Sequence, residues 1–436
     1  MTQQPDRCRE AAEYVIDRLK RGGADAAQCT AALIRTDETN VETGEFTLQR
    51  TLFDLSLSMK ALVGGRKGTV ALNRFDRETL DAAVEDCLAA AKVSEPDEAE
   101  GIAEYSSPRR FTCGNLAPDR EKLFDAVEAF MADVAEKYPK IMLRTLAATC
   151  TEAEQVFLNS EGVDFTTEEG FYGFSSMYSA AEKGKSSSFG YYYTQTEDME
   201  RPLLDLGMQA RLLAETERQI ETRPLSGKHV GPVIFAPDCL QGFLQMALSS
   251  FAGDMALIEG TSPWREKLHQ KVASDSLTVA LAPLDSRIVC GERHTRDGYL
   301  SEDAPVITAG VLEGFTLSRY GAARTGHRRF PNSSFSPIVA PGKRSLEAMI
   351  GDIPKGLLIG RFSGGMPQAN GDFSGVAKNS FLIENGKVTD AVSETMISGN
   401  LVDLLLRIPG VSSETVCDGM SVLPWLAADG VTMTGK

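Results

Sequence analysis

The side chains that could catalyse a reaction are scattered along this sequence. A zinc-dependent hydrolase needs neutral imidazoles as metal ligands and a carboxylate that takes a proton from the bound water. The chain has four histidines, and no two of them stand at a ligand spacing. They are His229, His269, His294 and His327. The histidines alone therefore predict no metal site.

Other signatures of catalysis are also missing from the sequence. The eight cysteines occur singly, which favours reduced and mostly buried thiols over a disulfide framework or a zinc ribbon. There is no G-x-S-x-G elbow and no G-x-G-x-x-G fingerprint. Carboxylates such as Asp254 and Glu259 could serve an unrecognised hydrolase, but the sequence does not show which of them converge. No recognisable machinery for an enzyme acting alone is present.

One stretch organises the rest of the chain. Val233 to Phe235 is strand-like, and a turn at Ala236-Pro237 leads into an amphipathic pattern. Apolar residues then recur at intervals of three and four, which predicts a helix with one buried face. These residues are Leu240, Phe243, Leu244, Ala247, Leu248 and Phe251. A strand that leads into a helix in this way is a common place for a functional site.

This stretch resembles the core helix of the TldD/PmbA family, whose peptidase members carry a His-Glu-x-x-x-His motif there. Matching Ala236-Pro237-Asp238 to the family's Glu-Pro-Glu places the two histidine positions on Gln245 and Ser250, and the glutamate on Met246. Gly253-Asp254 then arrives one residue earlier than in the family pattern. No histidine occurs anywhere in the stretch. The resemblance thus implies the family's helix without the side chains that bind zinc.

The resemblance continues through the second half of the sequence. Gly310 to Phe315, Asn370 to Ser374, Ile383 to Lys387 and Ile397 to Leu401 are similar to family motifs and occur in the family's order. The first half agrees only in the order of its helices and strands. Turn formation alone could explain each of these glycine-rich pieces, but their order along the chain is more specific than any single one.

Two further features follow from the resemblance. In the family, substrate is expected beside the C-terminal sheet by strand addition, which makes Gly364, Gly365 and Met366 candidates for peptide binding, although a plain loop is the alternative. Cys417 lies near the position of a zinc-ligating cysteine in the peptidase members. Because one thiolate cannot hold zinc without partners, we interpret Cys417 as a possible relic ligand or a chance match.

Composition limits the classes of function that are open to the chain. Of 436 residues, 42% are hydrophobic and 24% are charged, as in a soluble globular protein. No run approaches the roughly 20 apolar residues that span a bilayer, and the polar N-terminus is not a secretory signal. The formal net charge of −16 argues against direct contact with nucleic acid. We therefore expect a cytoplasmic protein without membrane contact.

The predicted fold class is α+β. Residues 1–110 are expected to form an N-terminal α+β subdomain, in which helices at 8–22 and 77–92 flank a hairpin between 46 and 73. Residues 111–225 are expected to form a middle α/β subdomain. In both of these N-terminal subdomains, helices are expected to cover a mixed sheet. The polar segment 94–110 is expected to be a surface connection. Further helices are expected at about 118–137 and 203–221, and a strand is expected at 314–318. Residues 226–436 are expected to form a β-rich, barrel-like domain that encloses the core helix.

The resemblance implies a metal-free, non-catalytic subunit of a TldD-type zinc metallopeptidase complex. Such a subunit needs no cofactor, since zinc is expected in a TldD-like partner, and it would help to form the chamber that binds peptide substrates. The alternative is a homodimeric peptide-binding or scaffold protein without peptidase activity. A third hypothesis follows from the family's older label, modulator of DNA gyrase, and implies contact with gyrase or its protein partners.

Overall fold

The computed structural model describes residues 7–393 and 395–435. Its helices are α1 (Arg7–Arg21), α2 (Arg77–Val93), α3 (Arg120–Lys137), α4 (Gln209–Glu217), α5 (Pro237–Phe251), α6 (Asp254–Ile258), α7 (Arg319–Thr325), α8 (Leu346–Gly351) and α9 (Leu401–Leu406), with a 3-10 turn at Leu203–Asp205. None of the helices in the described ranges is long and apolar enough to cross a membrane.

The first half of the chain builds one sheet of long antiparallel strands. Its strands are β1 (Ala26–Glu42), β2 (Glu45–Val63), β3 (Arg66–Leu72), β4 (Arg109–Gly114), β5 (Ile141–Asn159), β6 (Asp164–Glu182), β7 (Lys185–Ser186) and β8 (Gly190–Thr196). The order across the sheet is β3-β2-β1-β5-β6-β4, and β7 and β8 also pair with β6. The β1–β5 pair joins strands from either side of residue 110, where we predicted a boundary between subdomains.

Helices cover this sheet in two groups. Helices α1 and α2 pack their apolar residues against β1 to β3, where Val15, Leu57 and Leu80 are fully buried. Helix α3, the 3-10 turn and α4 cover β5 and β6 around Phe130 and Phe174. The apolar residues of each helix recur on one side, so the sequence places both groups of helices against the sheet.

The second half forms a larger, strongly curled sheet. Its strands are β9 (Thr222–Pro224), β10 (Lys228–Phe235), β11 (Val279–Leu281), β12 (Ala304–Thr308), β13 (Val311–Leu312), β14 (Pro337–Val339), β15 (Lys355–Ile359), β16 (Arg361–Gly364), β17 (Asp372–Lys378), β18 (Phe381–Glu384), β19 (Lys387–Ser393), β20 (Thr395–Asn400), β21 (Gly410–Cys417) and β22 (Val422–Thr434). The main order is β13-β12-β11-β14-β22-β10-β15-β18-β19-β9. Strand β22 also pairs with β20 and β21, and β16 continues this branch through β17.

Helix α5 lies against the inner face of the curled sheet. Its apolar side belongs to the largest buried cluster, together with inward residues of β10, β15, β20 and β22. Phe251 is fully buried, and its ring centre lies 5.2 Å from that of Trp264. The predicted α+β class, with a barrel-like sheet around a core helix, is confirmed.

Two local predictions were wrong. Gly314 to Ser318, expected as a strand, is irregular apart from an isolated bridge at Thr316, which pairs with Gly253 at the end of α5. The helix expected between residues 203 and 221 is interrupted, because Gly207 adopts a φ of 54° between the 3-10 turn and α4. Glycine tolerates this left-handed conformation, and it ends the first turn.

We expect the burial of α5 to dominate the stability of the C-terminal domain. Phe251→Ala should lower its free energy of unfolding by about 3–5 kcal/mol, because the lost ring leaves a cavity in a rigid core. Urea unfolding followed by tryptophan fluorescence measures this, since both tryptophans, Trp264 and Trp425, lie in that domain. Gln245→Ala on the exposed side of α5 is the control and should change the free energy by less than about 0.5 kcal/mol.

Candidate functional site

Helix α5 begins where β10 leaves the sheet. Pro237 occupies the first helical turn, where its missing N–H has no intrahelical acceptor to lose. The N–H of Ala236 donates to the carbonyl of Ile359 at the end of β15, with 3.0 Å between the atoms. Ala236 is the N-cap and supplies no side-chain cap. The start of the helix is therefore fixed by backbone pairing to the neighbouring strand.

The motif positions of α5 differ in their surroundings. Gln245 is exposed, while Met246 and Ser250 are half-buried. Met246 and Ser250 are one helical turn apart, whereas Gln245 directly precedes Met246, and Met246 packs partly against the core of the domain. Among residues 7–393 and 395–435, no three histidine, cysteine or acidic side chains come together in a way that could hold a metal ion.

Strand β16 runs beside α5 and has a free edge. Across residues 7–393 and 395–435, β16 pairs only with β17, so no strand lies along its other edge, where the N–H of Phe362 faces the thiol of Cys239 in α5. The ring centre of Phe362 in β16 lies 5.0 Å from that of Phe243 in α5, which anchors the strand to the helix. An open edge beside a helix face is a geometry that can accept an extended peptide as an added strand.

The predicted peptide-binding residues lie at the end of this edge. Gly364 is the last residue of β16, and Gly365 and Met366 follow it in an exposed loop. A Cβ on Gly364 would lie 2.3 Å from the ring of Phe362, so this glycine makes room for the ring that anchors the strand. The Met366 side chain is 61% exposed. The structure thus brings all three beside the open edge, and peptide binding by them stays a prediction.

A cleft of about 380 Å³ opens at the other end of α5. Asp254, at the start of α6, lines it and accepts hydrogen bonds from the backbone N–H of Ser318 (2.9 Å) and from its hydroxyl (2.5 Å). Both carboxylate oxygens are therefore engaged in fixing α6 to α7. Glu259 caps the end of α6. This arrangement gives Asp254 a structural role and offers little support for the hydrolase alternative.

Cys417 ends β21 and is exposed. Its thiol donates to the carbonyl of Arg287, 3.4 Å away. Desolvation by the surrounding protein raises the pKa of this thiol, and the charge of Asp418 raises it further. Among the described residues no group of three histidine, cysteine or acidic side chains includes Cys417, so the interpretation of this cysteine as a relic ligand or a chance match stays a prediction.

The histidines are separated in space as they are in sequence. His294 is buried among aromatic rings, 5.2 Å from Phe165 between ring centres, and burial lowers its pKa. His327 packs against the ring of Phe315, with 4.9 Å between centres. The ring nitrogen of His269 lies 3.8 Å from the carboxylate of Glu313. Each ring therefore has a separate local environment.

Sequence reasoning missed a polar cluster at the start of α5. Burial raises the pKa of Asp238 to about 6, an effect that Arg361 opposes and Asp418 strengthens. Burial also raises the pKa of Asp418, whose carboxylate accepts from the N–H groups of Met420 and Ser421. Two carboxyl groups and one guanidinium thus influence one another electrostatically near the start of α5. Only the pairing of distant strands brings them together, so no local pattern could have found them.

A curled sheet around a helix, with one helix face left open beside a free strand edge, is an architecture suited to holding a peptide. Residues 227–435 match the model described as the PmbA/TldA metallopeptidase C-terminal domain. The chain is 23% identical to the metalloprotease PmbA homolog of Haemophilus influenzae, over 94% of this chain and 92% of that protein. It is 24% identical to the metalloprotease PmbA of Escherichia coli, over 91% and 88% of the two chains.

The fold gives the same result. The crystal structure of TldE from Thermococcus kodakarensis superposes with a TM-score of 0.85 at 21% identity, covering 98% of this chain and all of that one. Its similarity shows a shared fold. The sequence match assigns residues 227–435 to the PmbA/TldD family, and the whole chain is similar to PmbA proteins over most of its length.

The buried carboxyl of Asp238 predicts a pH-dependent stability. Between about pH 4 and 6 the native state keeps a proton that the unfolded chain releases, so the free energy of unfolding falls as pH rises through this window. Asp238→Asn should remove that loss. Relative to wild type, it should gain about 2–3 kcal/mol between pH 4 and pH 7.5, measured by urea unfolding. Asp86→Asn, at an exposed position of α2, should show no such gain, and an identical pH profile for both variants would contradict the prediction.

Proposed function

We propose that this chain is a metal-free, non-catalytic subunit of the PmbA/TldE type in a TldD-type zinc metallopeptidase complex. The observation that supports the proposal is the set of residues at the motif positions of α5. Gln245, Met246 and Ser250 stand where the peptidase members carry their histidines and glutamate. An amide, a thioether and a hydroxyl offer neither the imidazole ligands nor the general base that a zinc-bound water needs.

The peptide-binding part of the site does not depend on those side chains. Strand addition uses backbone N–H and C=O groups, and the free edge of β16 supplies them beside α5. A chain that has the edge without the ligands can hold an extended peptide but needs a partner to cleave it. A TldD-like zinc peptidase subunit is the partner that we propose, and the peptide chamber would be completed by both chains.

A homodimeric peptide-binding or scaffold protein would use the same edge. The two functions differ in what co-purifies with the chain. The heteromeric subunit requires a chain with His-Glu-x-x-x-His, whereas the scaffold requires only a second copy. Affinity purification from the native cell followed by mass spectrometry separates them, and a stable homodimer without such a chain would favour the scaffold.

We expect the purified chain alone to contain substoichiometric zinc and to leave peptides uncleaved. With a TldD-like chain from the same organism, cleavage should appear together with one zinc per heterodimer, measured by elemental mass spectrometry and peptide mass analysis. Cleavage by this chain alone with stoichiometric zinc would refute the proposal.

The complex also allows a test of the separate residues. Cys417→Ser and Ser250→Ala in this chain should leave the zinc content of the complex unchanged, since neither side chain is a ligand in our proposal. Changing either motif histidine of the partner to alanine is the matched comparison, and it should remove both zinc and cleavage. Loss of zinc on Cys417→Ser would show that this chain contributes a ligand.

A further inference from the structure

Arg361 and Arg77 are the stacked arginines of the described residues whose side chains have no hydrogen bond or ion pair, and of the two only Arg361 is half-buried. It is the first residue of β16, and its guanidinium carbon lies 3.9 Å from the ring centre of Tyr191 in β8. Three other arginines combine stacking on a ring with a hydrogen bond or ion pair to an acceptor. Arg211 pairs with Glu215, Arg218 donates to the carbonyl of Thr389, and Arg329 donates to that of Phe330. Within residues 7–393 and 395–435, the Arg361 side chain has no hydrogen bond or ion pair.

Stacking fixes the guanidinium without occupying its donors. The N–H groups lie in the plane of the group, so a ring against its face leaves them free to bind a planar acceptor. Arg361 is half-buried, and its charge already acts on the carboxyl of Asp238, although the two form no ion pair. A guanidinium that is held in place by stacking, is partly buried and has free N–H donors is preorganised to bind a carboxylate through two hydrogen bonds.

The position of Arg361 indicates where that carboxylate comes from. Its backbone belongs to the free edge of β16, and Phe362, the next residue, packs toward α5. Side chains alternate along a strand, so Arg361 and the exposed Ser363 lie on the opposite face from Phe362. A peptide added to this edge would carry its own side chains past the Arg361 face.

The aromatic residue that holds Arg361 is itself exposed. Tyr191 and Tyr193 alternate along β8 with 54% and 38% of their surfaces exposed, while Tyr192 points inward and is buried. An exposed aromatic side chain can contact the apolar side chains of an extended peptide. Tyr191 and Arg361 thus combine apolar contact area with a positive charge that no ion pair engages.

We infer that Arg361, held by Tyr191, binds a carboxylate of the peptide strand that pairs with β16, and so determines substrate specificity. This inference rests on the proposed peptide-binding function. The carboxylate is either the C-terminal group of the peptide or an acidic side chain within it. Both are bound by the same two hydrogen bonds, and experiment distinguishes them.

The test measures binding of fluorescein-labelled Ala-Thr-Val-Thr-Val-Thr peptides to the full chain by fluorescence anisotropy. One pair of probes has a free or an amidated C-terminus. A second pair is amidated and carries Glu or Gln in place of the middle Thr. We expect the carboxylate member of one pair to bind about tenfold more tightly than its neutral counterpart, as for a charge-assisted hydrogen bond. The pair that shows the difference identifies the source of the carboxylate.

Arg361→Gln should abolish this discrimination and leave binding of the neutral peptides unchanged. Arg77→Gln is the matched control, because Arg77 also stacks at 3.9 Å, on Tyr14, but lies on α2 far from β16 in sequence. Tyr191→Phe should keep the discrimination, and Tyr191→Ala should weaken it. Asp238→Asn combined with Arg361→Gln should show the same loss as Arg361→Gln alone, which excludes an effect through the Asp238 carboxyl.

Equal binding of charged and neutral probes by the wild-type chain, or discrimination that survives Arg361→Gln, would overturn the inference. Failure to bind any probe would also overturn it. None of these three results bears on the association with a TldD-like chain, because co-purification tests that association separately. Circular dichroism of each variant confirms that the fold is retained.

Discussion

The structure depends on the burial of one side of α5 against the curled sheet. The helix is apolar on that side alone, and the sheet provides a matching concave surface lined by β10, β15, β20 and β22. Fully burying a side chain such as Phe251 contributes about 1.5–3 kcal/mol, and several such residues act together here. Because the apolar side is fixed inward, the opposite side is necessarily presented outward, whatever residues it carries.

This constraint explains how the same fold can form whichever residues stand at the motif positions of α5. Packing selects the inward residues, and nothing in the packing requires Gln245 or Ser250 to be a ligand. The free edge of β16 is equally independent of them, since it consists of backbone groups held in place by Phe362 and Phe243. The scaffold and the catalytic side chains are therefore separable, and the proposed subunit keeps the first without the second.

The two halves of the chain are joined by contacts that an exposed linker would not make. Residues 94–110 were expected to be a surface connection, but Ala99, Ile102 and Ala103 are buried. The guanidinium of Arg319 donates to the carbonyl of Ala99, and the hydroxyl of Tyr320 donates to Asp97, each at 2.9 Å. The polar residues of the segment thus bind α7, which in turn contacts α6 at the end of the core helix.

The sequence by itself determined the elements with strong periodicity and the lack of histidine in α5. Helices α1, α2 and α3 and the hairpin of β2 and β3 follow from local patterns, because amphipathic spacing and glycine turns act within a few residues. The cluster of Asp238, Asp418 and Arg361 follows from none of these. Those side chains are far apart in the chain, and only the pairing of β10, β15 and β22 sets the distances between them and excludes water from around them. The exclusion of water raises the pKa of the Asp238 carboxyl. The same pairing leaves the Arg361 guanidinium without a hydrogen-bond or ion-pair partner among the described residues.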